Sequence, residues 1–298
     1  MGLDIVGIFY AIGTFFIWGL VPLYWKQFVG FDSFELLIHR VVWSFVLLFA
    51  YLFLKGDVAR LLRMLKDKNF LKYSLAGTFL IFTNWWCFIW AVSNGHIIEA
   101  SIGYFINPIV NVLLGVFVLK ESLKKIQWLC VALAAIGVSI LALRGIGSPW
   151  ISVYLAMSFG LYGVVKKKAP MPGLWSLLFD TALCTPLLLF FFFRMYSNGQ
   201  IAFFDAPTSQ QMLALGTSFV TIIPLFGFLL SVSRLNLSTV GLIQYITPIM
   251  QLFIGVKLYG EEFTDYHLYA CLFIWAGLVI YSLHGLKSAH SAFSKRRT

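Results

Sequence analysis

Three polar residues, Tyr104, Asn107 and Asn111, recur at intervals of three and four along "IGYFINPIVNVLLG" (102–115). That spacing places them on one helical face. The stretch lies within an apolar run of membrane-spanning length, and Pro108 interrupts it. A second stretch, "LIQYITPIMQLFIG" (242–255), carries Gln244, Thr247 and Gln251 at the same positions around Pro248. Amides, a hydroxyl and a phenol do not cleave bonds; they donate and accept hydrogen bonds. Each proline also frees the carbonyl four residues earlier, at Tyr104 and Gln244. Free backbone at membrane depth is tolerated where it lines a protein-walled or wet cavity. The set suits a polar or zwitterionic small molecule, and Pro108 and Pro248 suit hinges. Trp18 and Asn84 join these six as candidate substrate contacts, Trp18 as a stacking surface. The alternative is that these side chains hold helices together, as interhelical hydrogen bonds do. Two stripes in matching register around two prolines favour a pathway.

Charges within apolar runs form a second group, because they are rare there and functional by default. Arg40 lies about two turns into the second run, beside His39 and one turn from Glu35. Glu99 opens the fourth run on the same side, so Arg40 and Glu99 could pair as an outer gate. Asp180 lies near the opposite face, and histidine, the residue type at His39, is suited to carrying protons. His39, Arg40, Glu99 and Asp180 are therefore candidates for gating or proton coupling, together with the two prolines. Glu121 and Glu261 fall at helix ends, where a carboxylate favours a helix N-terminus.

The histidines are scattered, and neither a zinc motif nor a paired-carboxylate site is legible. The four cysteines, Cys87, Cys130, Cys184 and Cys271, all fall in apolar runs without metal or disulfide spacing. The expectation is a protein that is not an enzyme, with no cofactor and no metal.

The elements that must position these residues follow from composition. The chain has 298 residues, 60% of them hydrophobic and 11% charged. Soluble chains carry roughly 25% charged residues, so a membrane is the expected solvent. Ten runs reach the ~20 residues a span needs: 5–26, 34–55, 71–93, 98–120, 126–144, 149–168, 174–194, 211–233, 237–258 and 264–285. Of the 22 lysines and arginines, 17 fall on one side if both termini are cytoplasmic. The positive-inside rule then sets that orientation. It also turns the +10 net charge away from nucleic acid and toward anionic lipid.

The two polar stripes belong to a longer repeat. At an offset of 140, Ile106, Pro108, Ile109, Gly115, Val116, Glu121, Gly137 and Ile140 match Ile246, Pro248, Ile249, Gly255, Val256, Glu261, Gly277 and Ile280. Trp18-Gly19 faces Tyr162-Gly163, and Gly77-Thr78 faces Gly216-Thr217. Two five-span copies must insert in opposite senses, a build recurrent in secondary transporters. The expected fold is all-α: ten transmembrane helices as two inverted five-helix repeats around a central cavity. The repeats cover 1–147 and 148–286, and a basic cytoplasmic tail covers 287–298.

On these residues the chain resembles the drug/metabolite transporter superfamily, specifically EamA-type transporters of the RarD branch. The resemblance spans nearly the whole chain and rests on Pro108 and Pro248, Glu121 and Glu261, Gly137 and Gly277, and Arg40. The family often has glycine before the glutamate; Gly260 matches and Lys120 departs. It implies a basket of helices with spans five and ten outside the cavity, in a bacterial inner membrane. It also implies export or exchange of amino-acid-like or drug-like molecules. The expected partners are a small-molecule substrate and the lipid bilayer, with a homodimer left open.

Overall fold

The computed structural model describes residues 4–56, 64, 66–94, 96–145, 149–169, 173–259 and 264–294. A few side chains within helices, Glu99 among them, lie outside the description, as do Gly260 and Glu261. Among the described residues every regular element is a helix, as hydrocarbon demands when backbone groups must pair within their own segment. The elements are α1 (Ile5–Trp25), α2 (Ser33–Leu54), α3 (Lys68–Ser93), α4 (Ile97–Phe117), α5 (Lys125–Gly145) and α6 (Pro149–Lys168). They continue with α7 (Gly173–Ser197), α8 (Thr208–Arg234), α9 (Leu237–Ile243), α10 (Ile246–Tyr259) and α11 (Asp265–Ser294). Asp4 and Asp32 open α1 and α2 by accepting from the Gly7 and Phe34 amides, which satisfies donors the helix cannot.

Among the described residues, six stretches are long and apolar enough to cross a membrane alone: Ile5–Trp25, Ser33–Leu54, Lys68–Ala91, Gly173–Ser197, Thr208–Arg234 and Leu237–Leu258. Shorter apolar stretches, Ile102–Phe117, Lys125–Ile140 and Asp265–Tyr281, lie in α4, α5 and α11. The ninth span differs from expectation: it is not one helix over 237–258 but two, α9 and α10, parted at Gln244–Tyr245. Pro248 has no N–H for the Gln244 carbonyl, which accepts instead from the Thr247 amide at 3.0 Å. The turn tightens there. The helix α4 passes Pro108 unbroken.

The helix α1 packs on α8 and α10, and α6 packs on α3 and α4. The helix α2 lies on α7 and α8, α3 also on α7, and α4 also on α9. The helices α5 and α11 pack on each other at the margin. A Cβ on Gly137 would sit 2.7 Å from the Ala270 carbonyl, and one on Gly277 would sit 3.0 Å from the Cys130 carbonyl. Only glycine permits that approach. The core gathers Ala11, Phe15, Leu37, Val41, Ile81, Leu188 and Phe228, all fully buried or nearly so. Phe9, Phe53, Phe79 and Phe190 instead stand on the outer surface, the arrangement a bundle in hydrocarbon requires.

Candidate transport pathway

The two polar stripes meet. Asn111 Nδ2 donates to Asn107 Oδ1 at 3.1 Å and to Gln244 Oε1 at 2.6 Å, and Gln244 Nε2 donates to Asn107 Oδ1 at 2.7 Å. Asn107 Nδ2 reaches the Ala156 carbonyl on α6 at 3.0 Å. This triangle of amides ties α4 to the break between α9 and α10, next to the close approach of Gly241 to the Pro108 carbonyl. Thr247 and Gln251 donate to the Phe15 and Trp18 carbonyls of α1, at 2.7 and 3.1 Å. Asn84 donates to the Leu155 carbonyl and to Ser158 of α6. Six of the seven sequence-selected polar candidates are thus engaged with neighbouring helices, and Asn111 Oδ1 is left buried without a donor. Tyr104, the seventh, stands apart.

Tyr104 points into a recess with Arg40. Both residues are surrounded by protein and within electrostatic reach of each other, yet both keep accessible surface. Tyr104 is 38% exposed, and its ring meets Phe88 at 5.7 Å. The Arg40 guanidinium lies over the Trp85 ring at 4.7 Å and the Trp25 ring at 5.8 Å. Arg40 is seven residues after Ser33, Trp85 eight before Ser93 and Tyr104 seven after Ile97. These positions set the recess about 10 Å below the α1–α2 end of the bundle. Trp25 and Trp85 had no signal in the sequence that tied them to Arg40. The expected Arg40–Glu99 gate involves a side chain outside the described residues.

Below the recess, Phe15, Trp18, Phe159, Tyr162 and Phe228 form one aromatic cluster, with ring centroids 5.2 to 6.4 Å apart. Trp18 is part of this floor. Trp86 instead sits on the outer surface with Phe34 and Phe191.

The opposite end is closed by charge. Asp180, fully buried, accepts from Lys166 Nζ, the Tyr162 hydroxyl and Thr78 Oγ1. Lys166 also donates to Ser176 at 2.5 Å. Of the three lysines that end α6, Lys166 is buried, Lys167 half-buried and only Lys168 exposed. Lys167 Nζ donates to the carbonyls of Val232 and Leu235. An apolar helix end drew Lys166 inward because α7 presents a carboxylate there, so Asp180 is paired with Lys166 and not with Arg40.

His39 and Glu121 turn out to brace the structure. His39 faces away from the recess, stacks on Phe203 at 4.7 Å and accepts from Trp43 Nε1. Its neighbour Glu35 accepts from the Ala202 and Phe203 amides of the α7–α8 connection. Glu121 caps a helix as expected, but across the fold: it accepts from the Leu237 and Ser238 amides that open α9. Outside the spans, the Gly7 amide and then Arg234 hold the Asp4 carboxyl below its ordinary value.

The EamA-like transporter family model matches residues 5–143. "Uncharacterized transporter PA0485" of Pseudomonas aeruginosa is 38% identical over 94% of each chain. "Protein RarD" of Streptomyces exfoliatus is 36% identical over 95% of this chain and 90% of its own. "Protein RarD" of Escherichia coli is 34% identical over 98% and 97%. A solved crystal structure superposes with a TM-score of 0.68 over 95% of this chain and 97% of its own, at 16% identity, a likeness of fold.

Proposed function

The chain belongs to the EamA-like transporter family, on its RarD branch, and from that premise we propose that it moves a small polar or amphiphilic metabolite by alternating access. The observation that carries this reading is the asymmetry of the interior. Arg40 and Tyr104, about two turns from the α1–α2 end, keep accessible surface, while the Asp180–Lys166 pair toward the other end is buried. Such a shape belongs to one of two states, the second with the seal broken and the recess closed.

The packing supports two inverted halves, 1–147 and 148–286. Exchanging spans one to five for six to ten turns the α1–α8 contact into α6–α3, and the α1–α10 contact into α6–α4. The α2–α7, α4–α9 and α5–α11 contacts map onto themselves. In this reading the amide triangle is the joint between halves, and Pro108 and Pro248 give it play. The lysine bias and the bacterial relatives support a multi-pass inner-membrane protein with both termini cytoplasmic. The α1–α2 end then faces outward.

The test is counterflow in liposomes, scanning labelled amino acids and amphiphilic drugs with and without a pH gradient. The expected result is accumulation of one class, driven by the same unlabelled compound inside. Chemically altered products, or leakage without saturation or counterflow, would overturn the reading.

A further inference from the structure

We propose that Arg40 anchors a carboxylate on the transported molecule, and that Trp25, Trp85 and Tyr104 form the site around it. This rests on the transporter reading and names the substrate class it leaves open.

A guanidinium has five N–H donors in its plane. Arg40 lies over two indole rings, and rings engage the faces of the group, not its in-plane donors. Among the described residues no carboxylate, carbonyl or hydroxyl accepts from it. Its Nε is buried with no acceptor at all. A desolvated cation left this way is unfavourable unless an anion completes it. The contrast with Lys166 at the other end is direct: that cation has Asp180, and Arg40 has aromatic faces only. His39 is adjacent in sequence but turned to Glu35, 3.7 Å away, so Glu35 is engaged elsewhere.

Arg40 and Tyr104 also keep accessible surface, so neither is closed off from a ligand. A planar carboxylate matches the guanidinium fork with two parallel hydrogen bonds. The Tyr104 hydroxyl supplies a further donor, and the indoles and Phe88 give apolar walls for the rest of the molecule. Those walls favour a singly charged carboxylate carrying an apolar or aromatic body over a heavily hydrated phosphate.

The experiment is scintillation-proximity binding to the purified full-length protein in detergent, with labelled L-phenylalanine and phenylacetate as probes. Each is competed by itself, by its amide and by inorganic phosphate. At least one carboxylate is expected to bind tenfold or more tighter than its amide, with phosphate ineffective. Arg40→Gln removes that preference, Arg40→Lys keeps part of it, and Tyr104→Phe weakens binding while keeping the preference. Equal competition by amide and carboxylate in both pairs overturns the proposal. So does displacement by phosphate, or a preference that survives Arg40→Gln. Binding that requires Glu99→Gln also overturns it, because Glu99 would then occupy Arg40 as a gate. Arg40→Lys shows whether loss in Arg40→Gln is only misfolding. Counterflow separates the two readings. Carriage without carboxylate preference sinks the anchor alone, and carboxylate binding without carriage sinks the transporter reading alone.

Discussion

The Asp180 carboxylate stands 2.8 Å from the Lys166 ammonium, and neither side chain is more than 1% exposed. The pair joins α6 to α7, and Thr78 brings in α3. In the proposed pathway, its position beneath the aromatic floor makes it the closed end. The sequence alone placed Asp180 near this face but did not pair it with Lys166.

Removing one partner leaves a buried charge with only neutral hydrogen bonds. Lys166→Met or Asp180→Leu alone is expected to cost about 3–5 kcal/mol of stability, and the double replacement much less than the sum. Thermal unfolding in detergent reads both. A double variant as unstable as the two singles combined would mean that the charges do not compensate each other.

The amide triangle predicts an order. Asn107 makes three hydrogen bonds, to Ala156, Asn111 and Gln244, whereas Asn111 makes two through a single nitrogen. Interhelical hydrogen bonds in membranes are worth about 0.6 kcal/mol on average and at most about 1.7. Asn107→Ala is therefore expected to cost about 2 kcal/mol and Asn111→Ala about 1. A double-mutant cycle on Asn107 and Gln244 is expected to show positive coupling. Independent effects of the two would remove the triangle as a joint.

The legible part of this fold is what periodicity carries. Spacings of three and four placed Asn107 and Asn111 on one face, and the offset of 140 placed Gln244 opposite, where the structure finds it bonded to both. Helical phase does not name the partner helix. Thus Thr247 and Gln251 reach α1 carbonyls and Tyr104 leaves the stripe for Arg40, although all three fit the same pattern, and Asn84, outside the stripes, reaches α6. The Trp25–Arg40–Trp85 contact joins three helices, and no single run records it. Pro248 announced a kink but not a break, because the same residue type leaves α4 continuous at Pro108.

Lys120 occupies the position where the family often has glycine, and it adopts φ 59°. The Glu121 amide donates back to the Gly115 carbonyl, six positions earlier, at 2.9 Å, and the left-handed turn at Lys120 closes the helix end. A side chain in that conformation costs about 1–2 kcal/mol. Lys120→Gly is expected to raise stability by about 1 kcal/mol, while Lys120→Ala, which removes the charge and keeps the Cβ, gives no gain. Equal gains from both in thermal unfolding would assign the effect to charge instead.

Gly137 and Gly277 make reciprocal contacts, each backed by a carbonyl of the other helix, at Ala270 and Cys130. Those two residues are themselves 140 apart, as the glycines are. An added methyl at either site meets backbone, which yields only if α5 and α11 move apart. Each Gly→Ala change is expected to cost about 1–3 kcal/mol, with Gly137→Ala at least as costly because its approach is closer. Once one methyl has parted the helices, the second finds room already made. The double variant should therefore cost well under the sum of the singles, as neighbouring sites sharing one displacement do. Strict additivity in thermal unfolding would mean that the crossing yields locally at each glycine, and that α5 and α11 do not shift as rigid bodies.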